Sequence, residues 1–481
     1  MNHSTQHKAT RRWALDPVMM MFAALAVAIA LTWMIPSGQY ERKGGVPNGL
    51  VIPGTYRELP KVLNGTALLP PPASKKAEEG SKETKTMVAP AAARPVSPAA
   101  LVTAVPEGLA KSSSLIFMIL LLGGMFGVLR TSGALDAGIE RLLSVTGGRV
   151  GIVTPIVMLA ISAGSTFLGL ISEYLLIIPI VIALAERMGR SRLFGFAMLT
   201  LAAKVGYLAS VTNPVALLIA QPIVGAPAFS GIGLRFTVWA VFLIIAIAVV
   251  LRLGRQGVRV TVHCDHQPLS LRHLAVLLVV AATVLLLVVG SATFGWRDAQ
   301  FASLFVVSAL VIGTTAGMTP REGAHAFVDG MKSMMLAALL VGMARGVELV
   351  LRDGMILDTI IAFSSHHVAA LPPVIVAPLV MFFEMFLTLL IPSTSAKAAL
   401  SIPILAPIAQ SVGVSGQTTV LAFLLGNGLV NMFAPTSGML LAYLATANIP
   451  YTIWFRFVLP VFCVFTALSI AAVMIAVLIG Y

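Results

Sequence analysis

One segment of this chain occurs twice, and the repeat constrains the fold more than any other feature. Residues 172–214 and 396–438 align without a gap at an offset of 224 positions. Gly189 in the first copy aligns with Gly413 in the second, and both copies end in a Pro- or Gly-containing interruption of an apolar run. Interruptions that recur in both halves of an apolar chain are typical of a binding site near the membrane midplane. The repeat therefore predicts a duplicated membrane unit of the kind found in transporters.

The composition indicates a chain whose solvent is lipid. It is 58% hydrophobic and 11% charged, with a mean hydropathy of +0.94, which is far from the values of soluble domains. About 11 apolar stretches reach the roughly 17–25 residues that span a bilayer. We therefore expect an all-α polytopic membrane protein with about 11 transmembrane segments, in two inverted repeats with re-entrant hairpins and broken helices.

The placement of basic residues predicts the orientation. The net charge is +13 and the pI is near 10.1. A basic pI can indicate nucleic acid binding, but Lys and Arg also gather in the cytoplasmic loops of membrane proteins. With the N-terminus in the cytoplasm, about half of the 32 basic residues fall in cytoplasmic loops and few in short outside loops. We therefore expect a multi-pass protein of the bacterial inner (plasma) membrane, in contact with membrane lipid and not with nucleic acid.

The same path makes the two copies antiparallel. The helix that begins near Ser113 runs from outside to inside, and its counterpart near Ser333 runs the other way. Inverted repeats belong to carriers that work by alternating access. The predicted division is a cytoplasmic N-terminus and first span at 1–36, a long outside loop with a flexible Pro-, Ala- and Lys-rich part at 37–112, a first transport repeat at 113–252, a cytoplasmic linker and connecting helix at 253–299, and a second, inverted repeat at 300–481.

Polar residues gather at two predicted hairpin tips and two helix breaks. The tips are expected at 162–173 and 392–397, and the breaks at 210–214 and 434–438. Irregular backbone at membrane depth must be buried in protein or line a wet cavity. Broken helices expose carbonyls that suit a cation and amides that suit a carboxylate. Interhelical hydrogen bonding is the alternative for any single Ser or Thr. The residues predicted to bind substrate or a coupling ion are Ser165, Thr166, Glu173, Thr212, Asn213, Ser393, Ser395, Lys397, Asn427, Thr436 and Ser437.

Charged side chains within the apolar segments form a second set of candidates, because each costs about 3 kcal/mol to insert. Glu173 and Lys397 are opposite charges at equivalent repeat positions. They could pair with each other or bind the two ends of a zwitterion. Lys204 stands close enough to a segment end for its stem to reach the interface.

Three further charged residues are a candidate charge relay. Arg345 and Glu348 stand three positions apart, on one face of a predicted helix, so they could satisfy each other. Glu384 could carry a proton or pack between helices.

Several short motifs are specific in combination. They are Arg11-Arg12-Trp13, Trp33-Met34-Ile35-Pro36-Ser37-Gly38, Thr212-Asn213-Pro214, Ala220-Gln221, the run from Ala399 to Pro407, Val420-Leu421-Ala422-Phe423 and Pro435-Thr436-Ser437. Through them the chain resembles, outside 40–105, the YfcC-type branch of the anaerobic four-carbon dicarboxylate carrier family, within the ion transporter superfamily. The resemblance implies a secondary carrier of dicarboxylates or amino acids, often a homodimer, in a branch provisionally named basic amino acid antiporters.

Three departures from the resembled family concern the substrate. Ser172-Glu173 stands where relatives often have two acidic residues, Asn427 where they have Asp, and Lys397 where some have a neutral amide. Each change makes the expected cavity less negative. The resemblance, read with these departures, favours a carboxylate-bearing substrate over a cationic amino acid.

Other classes of function find less support. The sequence has no H-E-x-x-H motif and no P-loop, and His263-Cys264-Asp265-His266 falls in a predicted cytoplasmic loop. We therefore expect no enzyme and no cofactor. A channel or a non-transporting sensor remains the alternative, because broken helices also line pores. The sequence predicts a secondary active transporter of a small carboxylate-bearing solute, dicarboxylate or amino acid, coupled to Na⁺ or H⁺ or working by exchange.

Overall fold

The computed structural model describes residues 17–42, 51–62, 92–146, 149–227, 229–255, 270–296, 298–366, 371–391 and 393–481. Over these residues the chain forms 19 α-helices and one two-stranded antiparallel sheet. The predicted all-α membrane fold is therefore confirmed. The His263 to His266 cluster and Pro392 of the second predicted tip lie outside the described residues.

The helices before the central linker are α1 (Pro17–Met34), α2 (Ala100–Lys111), α3 (Ser113–Thr131), α4 (Ala134–Thr146), α5 (Val150–Leu168), α6 (Ile178–Arg187), α7 (Arg192–Ala209), α8 (Pro214–Ile223) and α9 (Ile232–Gly254), and the strands are β1 (Ser37–Gln39) and β2 (Arg57–Leu59). The remaining helices are α10 (Leu271–Phe294), α11 (Asp298–Thr315), α12 (Pro320–Ser333), α13 (Met335–Asp353), α14 (Leu357–His366), α15 (Pro373–Leu390), α16 (Thr394–Ser411), α17 (Gly416–Val430), α18 (Gly438–Ala447) and α19 (Tyr451–Leu478).

By length and apolar composition, eight of the described helices could cross a membrane, or nine if α12 and α13, bent by 41°, form one span. Three shorter apolar helical stretches, 271–287, 416–430 and 438–447, accompany them. The sequence-based count of about 11 spans includes such short pieces, because hydropathy does not show where a hairpin or a break divides a span.

The repeat is visible in the helix boundaries. α7 and α17 begin at Arg192 and Gly416, and α8 and α18 begin at Pro214 and Gly438, so both pairs are 224 positions apart. Each copy thus has a long helix, a break and a ten-residue helix at equivalent positions. The residues that align in sequence therefore also begin equivalent helices.

The two copies pack reciprocally. Inside the copies, α5 lies against α7 and α9, and α15 lies against α17 and α19. Between them, α6 contacts α18 while α16 contacts α8, and α2 contacts α13 while α12 contacts α3. α1 lies on α13 and α11 on α3 in the same way. The correspondence thus extends to α1 and α2, beyond the predicted first repeat at 113–252.

Helix α2 differs from the expectation of a flexible outside loop. Its small residues Ala100, Ala104 and Gly108 are buried, and a Cβ on Gly108 would lie 2.2 Å from the carbonyl oxygen of Gly342 on α13. Close packing of two backbones therefore holds residues 100–111 in a helix. The composition of the segment, which includes Pro106, concealed this helix because it carries no long apolar run.

The centre of the molecule is the contact between α7 and α17. On α7 every residue from Phe194 to Ala209 is buried, whereas α9 buries only part of its residues, so α7 is enclosed by protein while α9 exposes one side. On α17 every residue from Thr418 to Val430 is buried. A Cβ on Gly206 would meet the Ser162 carbonyl oxygen at 2.4 Å, so glycine allows α5 to lie directly against α7. The breaks that follow α7 and α17 are therefore buried.

Candidate substrate and ion site

The second hairpin, formed by α15 and α16, contains a buried ion pair. The Lys397 ammonium lies 3.2 Å from the Glu384 carboxylate, and the two side chains are 0% and 1% exposed. The ammonium also donates to the Thr388 hydroxyl at 2.6 Å and to the Glu384 backbone carbonyl at 3.3 Å. The two legs of the hairpin are thus joined through one cation.

This geometry corrects the partner expected for Lys397. The sequence left open a pairing between Lys397 and Glu173, but Lys397 reaches Glu384, thirteen positions earlier on the adjoining leg. Glu173 lies in a short 3-10 helix of the first hairpin, where its carboxylate accepts from the Ile171 N–H at 2.8 Å and the Ser172 hydroxyl at 3.3 Å. No basic side chain in the described part of the chain forms an ion pair with it. Glu173 and Lys397 therefore belong to separate clusters.

Asn427 connects three helices at the centre of the site. Its amide nitrogen donates to the Tyr207 hydroxyl of α7 at 2.8 Å and to the Thr394 hydroxyl of α16 at 3.1 Å. Tyr207 and Thr394 also share a hydrogen bond. The Asn427 side-chain oxygen lies 3.5 Å from the Thr388 hydroxyl. The hydroxyl of Thr388 therefore links this junction to the Lys397 cluster.

The second break, between α17 and α18, continues the same network. Asn431 donates to the Asn427 carbonyl at 2.9 Å and accepts from the Ser437 hydroxyl at 3.1 Å. Ser437 also caps α18 by accepting from the Leu440 N–H at 3.4 Å. The Thr436 hydroxyl is buried and has no hydrogen-bond partner among the described residues. The structure thus brings the predicted residues Asn427, Thr436 and Ser437 together.

The first copy uses its predicted site residues differently. Ser165 and Thr166 lie in the last turn of α5 and not in an irregular tip, which begins at Gly169 with φ +75°. Ser165 donates to the Ala203 carbonyl at 2.8 Å. The Thr166 hydroxyl accepts from the Val211 N–H at 3.0 Å. These two hydroxyls therefore fasten α5 to α7 and to the first break.

Hydrogen bonds to the end of α5 and within the break hold the first break in place. Thr212 donates its N–H to the Thr166 carbonyl at 3.1 Å and its hydroxyl to the Phe167 carbonyl at 3.2 Å. Asn213, fully buried, lies 3.4 Å from the Ser210 hydroxyl. Ser210 is left-handed with φ +43°, which ends α7. Interhelical hydrogen bonding thus accounts for Thr212 in this conformation, and its predicted binding role stays a prediction.

Lys204 is enclosed on α7 and does not reach an interface. The residue is 3% exposed, and its ammonium lies 5.9 Å from the centre of the Tyr443 ring on α18. The expectation that its stem extends to the membrane surface is wrong, because α7 is surrounded by other helices at this depth.

The three residues of the predicted charge relay separate into two places. Arg345 and Glu348 form an ion pair at 2.5 Å on α13, whereas Glu384 belongs to Lys397. Arg345 and Glu348 line a cavity of about 490 Å³ together with Ser393 and Ser395 of the second hairpin. The second tip therefore contacts both the buried network, through Thr394, and an open cavity lined by charged residues.

Strand β1 closes one side of this cavity. Gly38 donates to the Met355 carbonyl at 2.9 Å, and Asp358 of α14 accepts from the Tyr40 N–H at 2.9 Å and pairs with Arg42 at 3.0 Å. Burial raises the pKa of Asp358, and the guanidinium of Arg42 partly opposes this effect. Burial, with Asp358 nearby, raises the pKa of Tyr40 to about 12. Residues 38–42 of the predicted outside loop are thus fixed beside the cavity.

Three site residues were missed by sequence reasoning. They are Thr388, Tyr207 and Asn431, all of which bond to the Lys397 or Asn427 side chain or backbone. A signal did exist for two of them, because Tyr207 and Asn431 are 224 positions apart and hence equivalent in the repeat. Within the described residues no group of three His, Cys, Asp or Glu could hold a metal ion.

The sequence model of the DcuC family, described as C4-dicarboxylate anaerobic carriers, matches residues 16–478. The chain belongs to this family. It is 28% identical, over the full length of both chains, to YfcC of Escherichia coli, provisionally named a basic amino acid antiporter. It is 27% identical to an uncharacterized Haemophilus influenzae protein over 92% of each chain.

Two solved structures are similar at a lower level. One is the YdaH transporter of Alcanivorax borkumensis, with a TM-score of 0.43 and 14% identity, which covers 97% of this chain and 99% of that one. The other is MtrF of Neisseria gonorrhoeae, with a TM-score of 0.42 and 16% identity, which covers 96% of this chain and 94% of that one. The family and the named relative are transporters and not enzymes.

Proposed function

We propose that this family member is a secondary active transporter that carries a small carboxylate-bearing solute by alternating access. The observation that supports the proposal most is the junction of Asn427, Tyr207 and Thr394, at 2.8 and 3.1 Å. It joins the helix before the second break, the helix before the first break and the second hairpin at one buried point. A solute bound there would touch parts of both repeats, so relative movement of the repeats would expose it to one side and then the other.

Two features support a carboxylate as part of the solute. The helices α8 and α18 begin directly after the breaks, and helix N-termini present N–H groups and partial positive charge to an anion. The family is described as carrying C4-dicarboxylates, and the E. coli relative is named for amino acids. Both solute classes contain a carboxylate. We therefore keep a dicarboxylate and an amino acid as the two substrate classes.

Coupling to Na⁺ or H⁺, or exchange of one solute for another, would drive the cycle. The buried oxygens of Thr436 and Asn427 suit a small cation, whereas the Glu384 carboxylate suits a proton. The protein would act in the bacterial inner membrane with its N-terminus in the cytoplasm, as a monomer or a homodimer in contact with lipid. No nucleic acid partner and no cofactor is part of the proposal.

Counterflow in proteoliposomes tests the proposal. The purified chain is reconstituted with unlabelled succinate, fumarate, L-glutamate, L-lysine or L-arginine inside, and uptake of the labelled solute is measured under Na⁺, H⁺ or no gradient. We expect saturable uptake that the internal solute accelerates. Uptake that does not saturate and follows the membrane potential alone would indicate a channel, and no flux of any solute would favour a sensor.

A further inference from the structure

Two lysines are buried at the centre of this molecule, and their surroundings differ. The Lys397 ammonium has three oxygens around it: the Glu384 carboxylate at 3.2 Å, the Thr388 hydroxyl at 2.6 Å and the Glu384 carbonyl at 3.3 Å. Lys204 is also buried, at 3% exposure. Among the residues that the structure describes, its ammonium has no acidic partner and no hydrogen-bond acceptor, and the Tyr443 ring lies 5.9 Å from it. Within the described residues, the charge of Lys397 is balanced by Glu384 and that of Lys204 has no counterpart.

The position of Lys204 is where elements of both repeats meet. The carbonyl of the preceding residue, Ala203, accepts the Ser165 hydroxyl from the end of α5. Tyr443 lies on α18, directly after the second break, and its hydroxyl donates to the Ile171 carbonyl at the first hairpin tip. Lys204 is therefore enclosed by the end of the first hairpin helix and by the helix that follows the opposite break. Both belong to the parts proposed to contact solute.

An isolated ammonium at this depth is unfavourable, because burial removes its hydration and no opposite charge replaces it. A ring at nearly 6 Å is at the outer limit of a cation–π contact, so Tyr443 offers weak compensation. A carboxylate would supply both a negative charge and hydrogen-bond acceptors. The free energy that the carboxylate loses when it leaves water would also be partly recovered, because the lysine ammonium would replace the lost water as its hydrogen-bond donor.

We propose that Lys204 is the residue that binds the substrate carboxylate, while Lys397 is a structural cation of the second hairpin. The inference rests on the proposed transport function and names the anchoring group of that same site. Tyr443 contacts both the Lys204 ammonium and the backbone of the tip that carries Glu173. It positions the first tip against the bound carboxylate.

Binding to the full-length purified protein tests this assignment. Thermal unfolding is measured with succinate or L-lysine and with succinamide or cadaverine, the matched molecules that lack the carboxylate; ligand binding raises the unfolding temperature by mass action. Wild type should be stabilised by a carboxylate-bearing probe and not by its matched partner. Lys204→Gln and Lys204→Met should raise the apparent Kd of that probe at least tenfold. Lys332→Met, which removes an exposed lysine paired with Asp329, should leave the Kd unchanged.

The outcomes separate this inference from the proposed function. If wild type binds a carboxylate and both Lys204 variants bind it equally well, the anchor assignment is wrong and the transporter proposal stands. If wild type binds none of the four probes and counterflow finds no carboxylate solute, both fail. If wild type binds a matched probe without the carboxylate as tightly as the carboxylate-bearing one, recognition does not depend on the carboxylate and the anchor assignment is overturned.

A measurement on wild type covers the case in which the variants do not fold. Reductive methylation of lysine with formaldehyde and a borane reductant is followed by mass spectrometry, with and without the stabilising carboxylate. Lys204 should be methylated without it and protected with it, whereas Lys332 should be methylated equally in both. Equal methylation of Lys204 in both conditions, or none in either, would overturn the assignment, because a ligand anchor must be reachable from water and covered by its ligand.

Discussion

Lys397 and Glu384 face each other at 3.2 Å across the two legs of one hairpin, both almost fully buried. A buried ion pair is expensive to break by removal of one partner, because the other charge is left without compensation. It is much less expensive to remove as a pair. A comparison of the single variants with the double variant therefore distinguishes a structural ion pair from a lysine that binds substrate.

We expect Lys397→Met and Glu384→Gln each to destabilise the protein by about 3–5 kcal/mol, and the double variant to recover most of that loss. Thermal unfolding in detergent measures stability, and counterflow measures transport. Lys332→Met with Asp329→Asn, an exposed pair, is the matched control and should change stability by less than about 1 kcal/mol. Independent, additive losses in the double variant would speak against a structural pair.

Asn427 should be sensitive to loss of its donor groups. Asn427→Asp keeps the shape but removes the amide hydrogens given to Tyr207 and Thr394, so we expect transport to fall at least tenfold, with a stability loss of about 1–3 kcal/mol. Tyr207→Phe removes the hydroxyl that accepts from Asn427 and bonds to Thr394, but it leaves the Asn427 amide bonded to Thr394 and should have a smaller effect. The two variants are compared by counterflow at equal amounts of folded protein. A larger defect in Tyr207→Phe than in Asn427→Asp would contradict the central role given to the amide.

The buried Thr436 hydroxyl has no partner among the described residues, so its removal should not harm the fold. Thr436→Val is expected to leave the free energy of unfolding within about 0.5 kcal/mol while it reduces transport strongly. Thr200→Val on α7 is the matched control, because that hydroxyl is equally buried and unpartnered and was not predicted to bind solute. Equal transport in both variants would remove Thr436 from the site.

Asn213→Ala tests the first break in the same assay. Asn213 is fully buried beside the left-handed Ser210, and we expect near-normal expression with loss of transport. Wild-type flux would leave Asn213 a packing residue. Circular dichroism and size-exclusion profiles serve as the check on folding.

Accessibility tests the inverted orientation of the repeats. In a background without Cys264 and Cys463, Ser395→Cys faces the open cavity and Ser165→Cys is buried at the end of α5. We expect membrane-impermeant maleimides to label the two positions from opposite sides, in the states that expose each. Labelling of both from the same side across all conditions would contradict inverted repeats.

The breaks were the most predictable part of the site. The breaks at 210–214 and 434–438 were visible from Pro, Gly and hydroxyl residues within apolar runs, because the same kind of interruption stands at equivalent positions in both copies. The end of α17 at Val430 was not predicted, because the Pro and Gly of this break, Pro435 and Gly438, come several residues later. The alignment of Tyr207 with Asn431 could have been used, but an aromatic residue in an apolar segment is normally part of the core.

The partner of Lys397 could not be predicted from the sequence. Lys397 and Glu173 occupy equivalent positions of the two copies. The distance between their side chains, however, depends on how each hairpin folds back on itself. Glu384 is close because α15 and α16 are antiparallel legs with a short tip, and the register of such legs is set by packing. The same limit applies to α2, whose helix depends on contact with Gly342 and Gly346, residues more than 200 positions later in the chain.

The exchange of helices between the two copies has a consequence for biogenesis. The small residues of α2 fit against α13, and the glycines of α3 fit against α12, so neither surface can be covered while only the first half of the chain has been synthesised. Until α12 and α13 have been synthesised, the faces of α2 and α3 that pack against them would be exposed to lipid. Each half is therefore a folding partner of the other, and a gene split at the central linker should yield stable protein only when both pieces are made together.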